Sequence, residues 1–265
     1  MSAEGGASAT EEAEPSGAIL KVESVSKRFG DLIAVRDVSL VVPRGELRAI
    51  IGPNGAGKTT FFNLLSGFFP PTSGRILFDG RDVTTVAAHR RVELGMARTF
   101  QITEIFPELT VHENLRIGAE IAAGYALRPW ISRAERSSVQ RKVEEILDIA
   151  GLAAKASRLV GQLAHGDQRV VEIATALTLQ PRLLLLDEPT AGMGDQETYA
   201  VSKLVRALHR RGDLSIVLIE HDMRVVFNLA ERITVLDQGL LLAEGAPAEI
   251  AANAAVQAAY LGEAA

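Results

Sequence analysis

The sequence predicts an α/β fold: a mostly parallel sheet with helices on its faces, preceded by antiparallel strands and interrupted by a helical lobe. Three observations predict it. Short unbroken apolar runs, LRAII at 47–51, LLLLDE at 183–188 and LSIVLIEH at 214–221, have the character of strands buried on both faces. Segments with apolar residues at three-and-four spacing alternate with those runs, as a sheet covered by helices requires. The stretch from roughly 102 to 179 is mostly helical and breaks the alternation, so it reads as a separate lobe.

Taken in order, MSAEGGASATEEAEPSGA at 1–18 is acidic and small and reads as a disordered tail, because it has too little apolar surface to order itself. The fold is expected to begin near Ile19. ILKVESV and VRDVSLVV alternate as antiparallel strands and are separated by a turn at Phe29, Gly30 and Asp31. LRAII runs into GPNGAGKTT at 52–60, and FFNLLSGFF follows with helical spacing until PPTSG stops it. RILFDG begins another strand. In the lobe, VHENLRIGAEIAAG and SSVQRKVEEILDIAGL have helical periodicity, and YALRPWISRAER between them reads as irregular. TYAVSKLVRALHRRG and MRVVFNLAERITVLDQG resume the alternation of helix and strand.

Composition narrows the function. With 265 residues, 47% of them hydrophobic and 23% charged, the chain can bury one full domain core with a smaller lobe attached. A net charge of -5 argues against a nucleic-acid surface. The densest basic spots, HRR at 89–91 and at 209–211, read as solvated helix ends. The absence of cysteine excludes disulfides, thiol catalysis and Cys-ligated zinc. No apolar run reaches the roughly 18 residues of a membrane helix, and the N-terminus lacks the apolar core of an export signal. The expected location is therefore cytosolic.

GPNGAGKTT fits the phosphate-binding pattern G-x-x-x-x-G-K-[ST], placed where it should be, between a strand and a helix. Gly52, Gly55 and Gly57 allow the backbone N–H groups to turn inward around a polyphosphate without obstruction by a Cβ. Pro53, Asn54, Ala56 and Thr60 complete the loop. The helix beginning near Lys58 aims its positive end at the same place, Lys58 adds a full charge, and the Thr59 hydroxyl is placed to ligate Mg²⁺. The alternative, a Gly-rich connection that happens to hold a Lys, leaves the context unexplained. The chain is expected to bind a nucleoside triphosphate. Asp187, at the carboxyl end of its strand, is placed to hold Mg²⁺, and Glu188 to accept a proton from the water that attacks the γ-phosphate.

In sequence order, GPNGAGKTT, TFQ at 99–101, LAHGDQRVVEIATAL from 163, LLLLDEPT and IEHD at 219–222 resemble the ATP-binding cassette (ABC) family. The resemblance runs from about Ile19 to the end. It implies a RecA-like core with an antiparallel β subdomain and an inserted helical subdomain at roughly 102–179, the whole of 19–265 forming one nucleotide-binding domain. It further implies a head-to-tail dimer, homo- or heteromeric, with two ATP molecules at its interface. By the same resemblance Phe29 stacks on adenine, although a plain turn aromatic is the alternative. Gln101 meets Mg²⁺ and the attacking water, and His221 hydrogen-bonds the γ-phosphate. Ala164, His165, Gly166 and Asp167 stand in the loop that grips the ATP held by the opposite subunit.

That loop departs from the usual LSGGQ. Ala164 replaces a Ser hydroxyl, His165 a Gly and Asp167 a Gln, while Gly166 and the helix N-terminus remain. Losing one hydrogen bond to a charged group costs about 1.5–3 kcal/mol, which implies a weakened rather than dead half-site. Gly194 in TAGMGD stands where many cassettes carry the Asp of SALD, so signalling through that carboxylate is not expected.

AGM after DEP, HDM at 221–223, ARTFQ at 97–101, the insert near Trp130 and the ending AAYLGEA are similar to the ATPase subunits of branched-chain amino acid importers, the LivG-like group. Relatives of that group import urea, short amides or aromatic acids. The resemblance implies transmembrane permease subunits as partners, a second cassette, and a substrate-binding protein acting indirectly. It places the chain on the cytoplasmic face of the membrane. Trp130 either contacts a membrane subunit or packs inside the lobe. An exporter motor, a non-transport cassette, a small-molecule kinase and a binding module whose hydrolysis has lapsed are the competing readings.

Overall fold

The computed structural model describes residues 17–99, 105–125, 128 and 130–261. The expected tail, apart from Gly17 and Ala18, and Gln101 lie outside the described residues. The chain begins with β1 (Ala18–Phe29), β2 (Leu32–Pro43), β3 (Leu47–Ile51), α1 (Lys58–Ser66), β4 (Ser73–Phe78) and β5 (Arg81–Asp82). There follow α2 (Ala88–Glu93), β6 (Met96–Thr99), α3 (Val111–Ala122), α4 (Arg133–Ile149) and α5 (His165–Thr178). The last part holds β7 (Leu183–Asp187), α6 (Asp195–His209), β8 (Ser215–Ile219), α7 (Met223–Leu229) and β9 (Arg232–Asp237). It ends with β10 (Leu240–Gly245), α8 (Pro247–Ala252) and α9 (Ala254–Leu261).

A six-stranded sheet in the order β10-β9-β3-β8-β7-β6 forms the centre. All its pairings are parallel except β10 with β9. Side chains alternate across it with period two. Ala49, Ile51, Leu184, Leu186, Ile216 and Leu218 face the layer of helices. Ile50, Leu183, Leu185, Val217 and Ile219 face α1 and the antiparallel sheet β2-β1-β4-β5. Each side chain so buried contributes about 1.5–3 kcal/mol, and this two-sided burial is what LRAII, LLLLD and SIVLI encode. Arg48, 1% exposed, fastens the two sheets together. Its guanidinium meets Glu46 at 2.5 Å and Glu244 at 2.8 Å, and donates to Val41 O of β2 at 3.1 Å.

Between β6 and β7, capping boxes start α3 (Thr110 with Glu113) and α4 (Ser132 with Glu135). The second corrects the sequence reading. Residues 133–136, expected to be irregular, are helical, and S-x-x-E at 132–135 was the signal. α3 lies against α5 where a Cβ on Gly118 would come 2.2 Å from Thr178 Oγ1, so glycine is what lets the helices approach. Trp130 is 86% exposed and does not pack inside the lobe. No helix among the described residues is long and apolar enough to cross a membrane.

HRR at 89–91 is also corrected: Arg91 is buried, not solvated. Its guanidinium donates to Leu64 O and Leu65 O at 2.9 and 2.6 Å, and to Val83 O and Val86 O at 2.5 and 2.8 Å. It thus satisfies the orphan carbonyls at the C-terminus of α1. Burial lowers its pKa to about 10, which leaves it cationic at neutral pH. Replacing Arg91 by Met strands those acceptors and is expected to cost about 3 kcal/mol or more in urea unfolding. A loss below about 1 kcal/mol contradicts this role.

Candidate active site

The loop at 52–60 leaves the carboxyl end of β3 with its path fixed by packing. Gly52 has φ +152°, and a Cβ there would stand 2.0 Å from Leu236 O of β9. Gly57 has φ +92°, and a Cβ there would stand 2.3 Å from Ala34 O of β2. The loop is therefore pressed between two strands at positions only glycine accepts. Gly57 is also the N-cap of α1 and supplies no side-chain acceptor to the first turn of that helix. Lys58, buried, donates to Gly52 O at 2.6 Å and Pro53 O at 2.8 Å.

The loop forms one wall of a cavity of about 570 Å³, lined by Asn54, Gly55, Ala56, Gly57, Lys58, Thr59 and Thr60. Ile33, Ala34, Gln238 and Gly239 form the side toward β2 and β9, and Glu188 and His221 stand in the wall with them. These two come from adjacent parallel strands: Glu188 follows β7 and His221 follows β8 by two residues. Parallel sheets gather ligands at their carboxyl ends in this way.

Glu188 adopts φ +47°, uncommon for a residue with a Cβ. Its N–H donates to Ile219 O at 3.0 Å, and its Oε1 lies 2.8 Å from His221 Nε2. Asp187 does not line the cavity. It is 2% exposed, and its Oδ2 accepts from Arg98 at 2.7 Å. Arg98 also donates to Asn63 and Ser66 of α1 at 2.6 and 2.7 Å, so β6, β7 and α1 are joined behind the loop. Glu220, 3% exposed, accepts from the Thr190 N–H and hydroxyl at 2.9 and 2.6 Å and from the His221 N–H at 3.1 Å. It fixes the chain after Glu188 to the chain carrying His221.

Residues 164–167 do not line this cavity, and they open α5 elsewhere on the surface. Ala164 is the N-cap without a side-chain acceptor, and Ala164 and His165 are exposed. Asp167 accepts from Lys155 through both oxygens at 2.6 Å. Gly166 is buried against α6, and its N–H donates to Glu197 Oε1 at 3.0 Å. Phe29, 46% exposed, is not in the cavity wall; its ring meets Phe69 edge-on at 5.5 Å, with the Lys27 ammonium 5.2 Å from its centre.

The sequence reading missed Arg98, Arg169, Glu172, Glu197 and Glu220. Two signals were present. Arg98 is a charge inside a short strand, and Arg169 with Glu172 is an opposite-charge pair at i,i+3 inside an apolar helix. Arg169 donates to Asp187 O at 2.5 Å and Glu188 O at 3.3 Å.

This geometry can hold a polyphosphate between the glycine-rich loop and a Lys, and present a carboxylate paired with an imidazole to it. Comparisons with known proteins agree. A family model for ABC transporters matches residues 35–191, and one for branched-chain amino acid ATP-binding cassette transporters matches 241–265. The chain is 40% identical over 252 residues to the high-affinity branched-chain amino acid transport ATP-binding protein BraF of Pseudomonas aeruginosa, covering 93% of this chain and 98% of that one. It is also 40% identical, with the same coverage, to LivG of Escherichia coli, described in the same words. Among solved structures, an ABC transporter cassette in its ADP conformation superposes with a TM-score of 0.82 at 32% identity, covering 92% of this chain and 99% of that one. A dimeric cassette in a post-hydrolysis state with ADP and Pi gives 0.72 at 26%, covering 86% and 98%. Sheet topology, phosphate loop and these matches lead to one conclusion: the chain belongs to the ABC transporter family, as an ATP-hydrolysing cassette.

Proposed function

We propose that this chain is the motor subunit of an importer for branched-chain amino acids or a related small polar solute. The observation that carries the reading is the convergence of Lys58, Glu188 and His221 on the cavity built by the loop at 52–60. The identity to BraF and LivG supports the substrate class.

In this reading the triphosphate lies along the N–H groups of 55–60, with Lys58 leaving its carbonyl partners for the outer phosphates. Glu188 accepts the proton of the attacking water. His221, held against Glu188 at 2.8 Å, orients that carboxylate and donates to the γ-phosphate. Thr59, in the cavity wall, would hold Mg²⁺ through its hydroxyl, while Asp187, outside the wall and paired with Arg98, would reach it only through water; the ion when bound would neutralise phosphate charge. Gln101 joins these two by resemblance. Phe29 stacks on adenine by the same resemblance, its ring standing at the surface beside Phe69 and outside the cavity wall.

Residues 164–167 act on a second cassette's nucleotide, a reading supported by their position outside this chain's own cavity and by the dimeric relative. The single nucleotide-binding domain proposed for 19–265 carries its helical subdomain at 102–179. Between β6, α3 and α5 lies a second, largely apolar cavity of about 470 Å³, lined by Phe106, Ile117, Ile121, Ala176 and Leu179 among others. It suits an apolar segment of a permease subunit, which would hold this chain at the cytoplasmic face of the membrane. A substrate-binding protein then acts only through the permease.

Three variants test the assignment in the assembled transporter. Glu188→Gln is expected to bind ATP like the parent and to lose turnover by about 100-fold or more, measured as phosphate release; equal rates remove Glu188 from the chemistry. Lys58→Ala is expected to weaken ATP binding itself, and unchanged affinity contradicts its role. Ala164→Ser restores the missing hydroxyl and is expected to raise ATPase activity by about ten- to 100-fold, since about 1.4 kcal/mol is one decade and the hydrogen bond is worth about 1.5–3 kcal/mol. No rise at all shows that the hydroxyl is not limiting.

A further inference from the structure

We infer that Arg169 is a positioning residue for Glu188, tying the first turns of α5 to the carboxylate at the ATP cavity. The inference rests on the reading of Glu188 as the base.

Arg169 sits on α5 just after the 164–167 loop, is 5% exposed and does not line the cavity. One arm of its guanidinium donates to Asp187 O at 2.5 Å and Glu188 O at 3.3 Å. Another donates to Glu172 Oε2 at 2.5 Å, and Glu172 is equally buried. A guanidinium taken out of water is costly, and apolar side chains would fill the same space more cheaply. What apolar side chains lack is a directional grip on two successive carbonyls.

Those carbonyls belong to the strained end of β7. Glu188 holds φ +47°, its N–H is fixed to β8, and its side chain meets His221. The main-chain oxygen is the point at which α5 takes hold of it. A rotation or shift of α5 therefore moves the Asp187 and Glu188 peptides and re-aims the Glu188 carboxylate. Residues 164–167 begin the same helix, so whatever engages that loop is transmitted to this chain's own hydrolytic group through Arg169. Cross-talk between the two ends is built into one side chain. It does not need the Asp that Gly194 replaces.

Removing Arg169 alone breaks its ion pair with the buried Glu172, so the test variant is the pair Arg169→Met with Glu172→Met, which keeps length and removes both charges. It is measured in the assembled transporter beside Glu188→Gln and the parent. We expect kcat to fall by about ten- to 100-fold while KM for ATP stays within about two-fold, the mark of a group displaced from its productive geometry rather than of a lost fold. A kcat within about two-fold of the parent, with Glu188→Gln inactive, overturns the role of Arg169 and leaves Glu188 standing. A fall in kcat matched by a proportional loss of ATP affinity also overturns it, since that is general damage. Parental turnover in Glu188→Gln overturns the reading of Glu188 instead.

Discussion

The register of three buried parallel strands is the constraint on which the site depends. β3, β7 and β8 pair side by side, with Leu184 beside Ile216 and Ala49 beside Leu218. Their carboxyl ends therefore lie in a row, where β3 releases the phosphate loop, β7 releases Glu188 and β8 releases His221. A one-residue slip in any of them would exchange its two buried faces, each already packed against its own layer, and carry its functional group about 3.3 Å out of line. Apolar burial on both faces forbids that slip, so ordinary core packing sets the distances that the chemistry uses.

Around that row, buried charge also stands at the junctions between elements. Arg48 joins the two sheets, Arg91 closes the C-terminus of α1, Arg98 ties β6 and α1 to Asp187, and Arg169 ties α5 to the end of β7. Glu220 joins the segments carrying Glu188 and His221. Each makes a charge-assisted hydrogen bond from one element to another. The hydrolytic groups are thus held on a frame whose joints all reach neighbouring elements, and a disturbance of one element is felt by the next.

Much of this was legible in the sequence, and the boundary is physical. Glycine spacing before a Lys, and an acid ending an apolar strand, are local patterns imposed by local geometry, so the loop at 52–60 and the place of Glu188 beside it could be read directly, whereas His221 came only with the family resemblance and Asp187 lies outside the cavity wall, held by Arg98. The hairpin turn after Phe29 could be read for the same reason. Arg91 could not: a basic run beside a helix usually faces water, and only the meeting of α2 with the end of α1 buries it. The same holds for Arg169, whose partners are carbonyls 18 and 19 residues away in sequence. The start of α4 is a different case, since its capping box, Ser132 with Glu135, is present in the letters. The orientation of Phe29 toward Phe69 depends on packing that no spacing rule contains.

The most direct test is to titrate isotope-labelled full-length chain carrying Glu188→Gln with ATP and with ADP, and to follow its amide and imidazole resonances. The account predicts large shifts at the N–H groups of Gly55, Gly57, Lys58 and Thr59 with either nucleotide, and a shift of the His221 ring with ATP alone. Saturable binding that leaves those amides unmoved would contradict it.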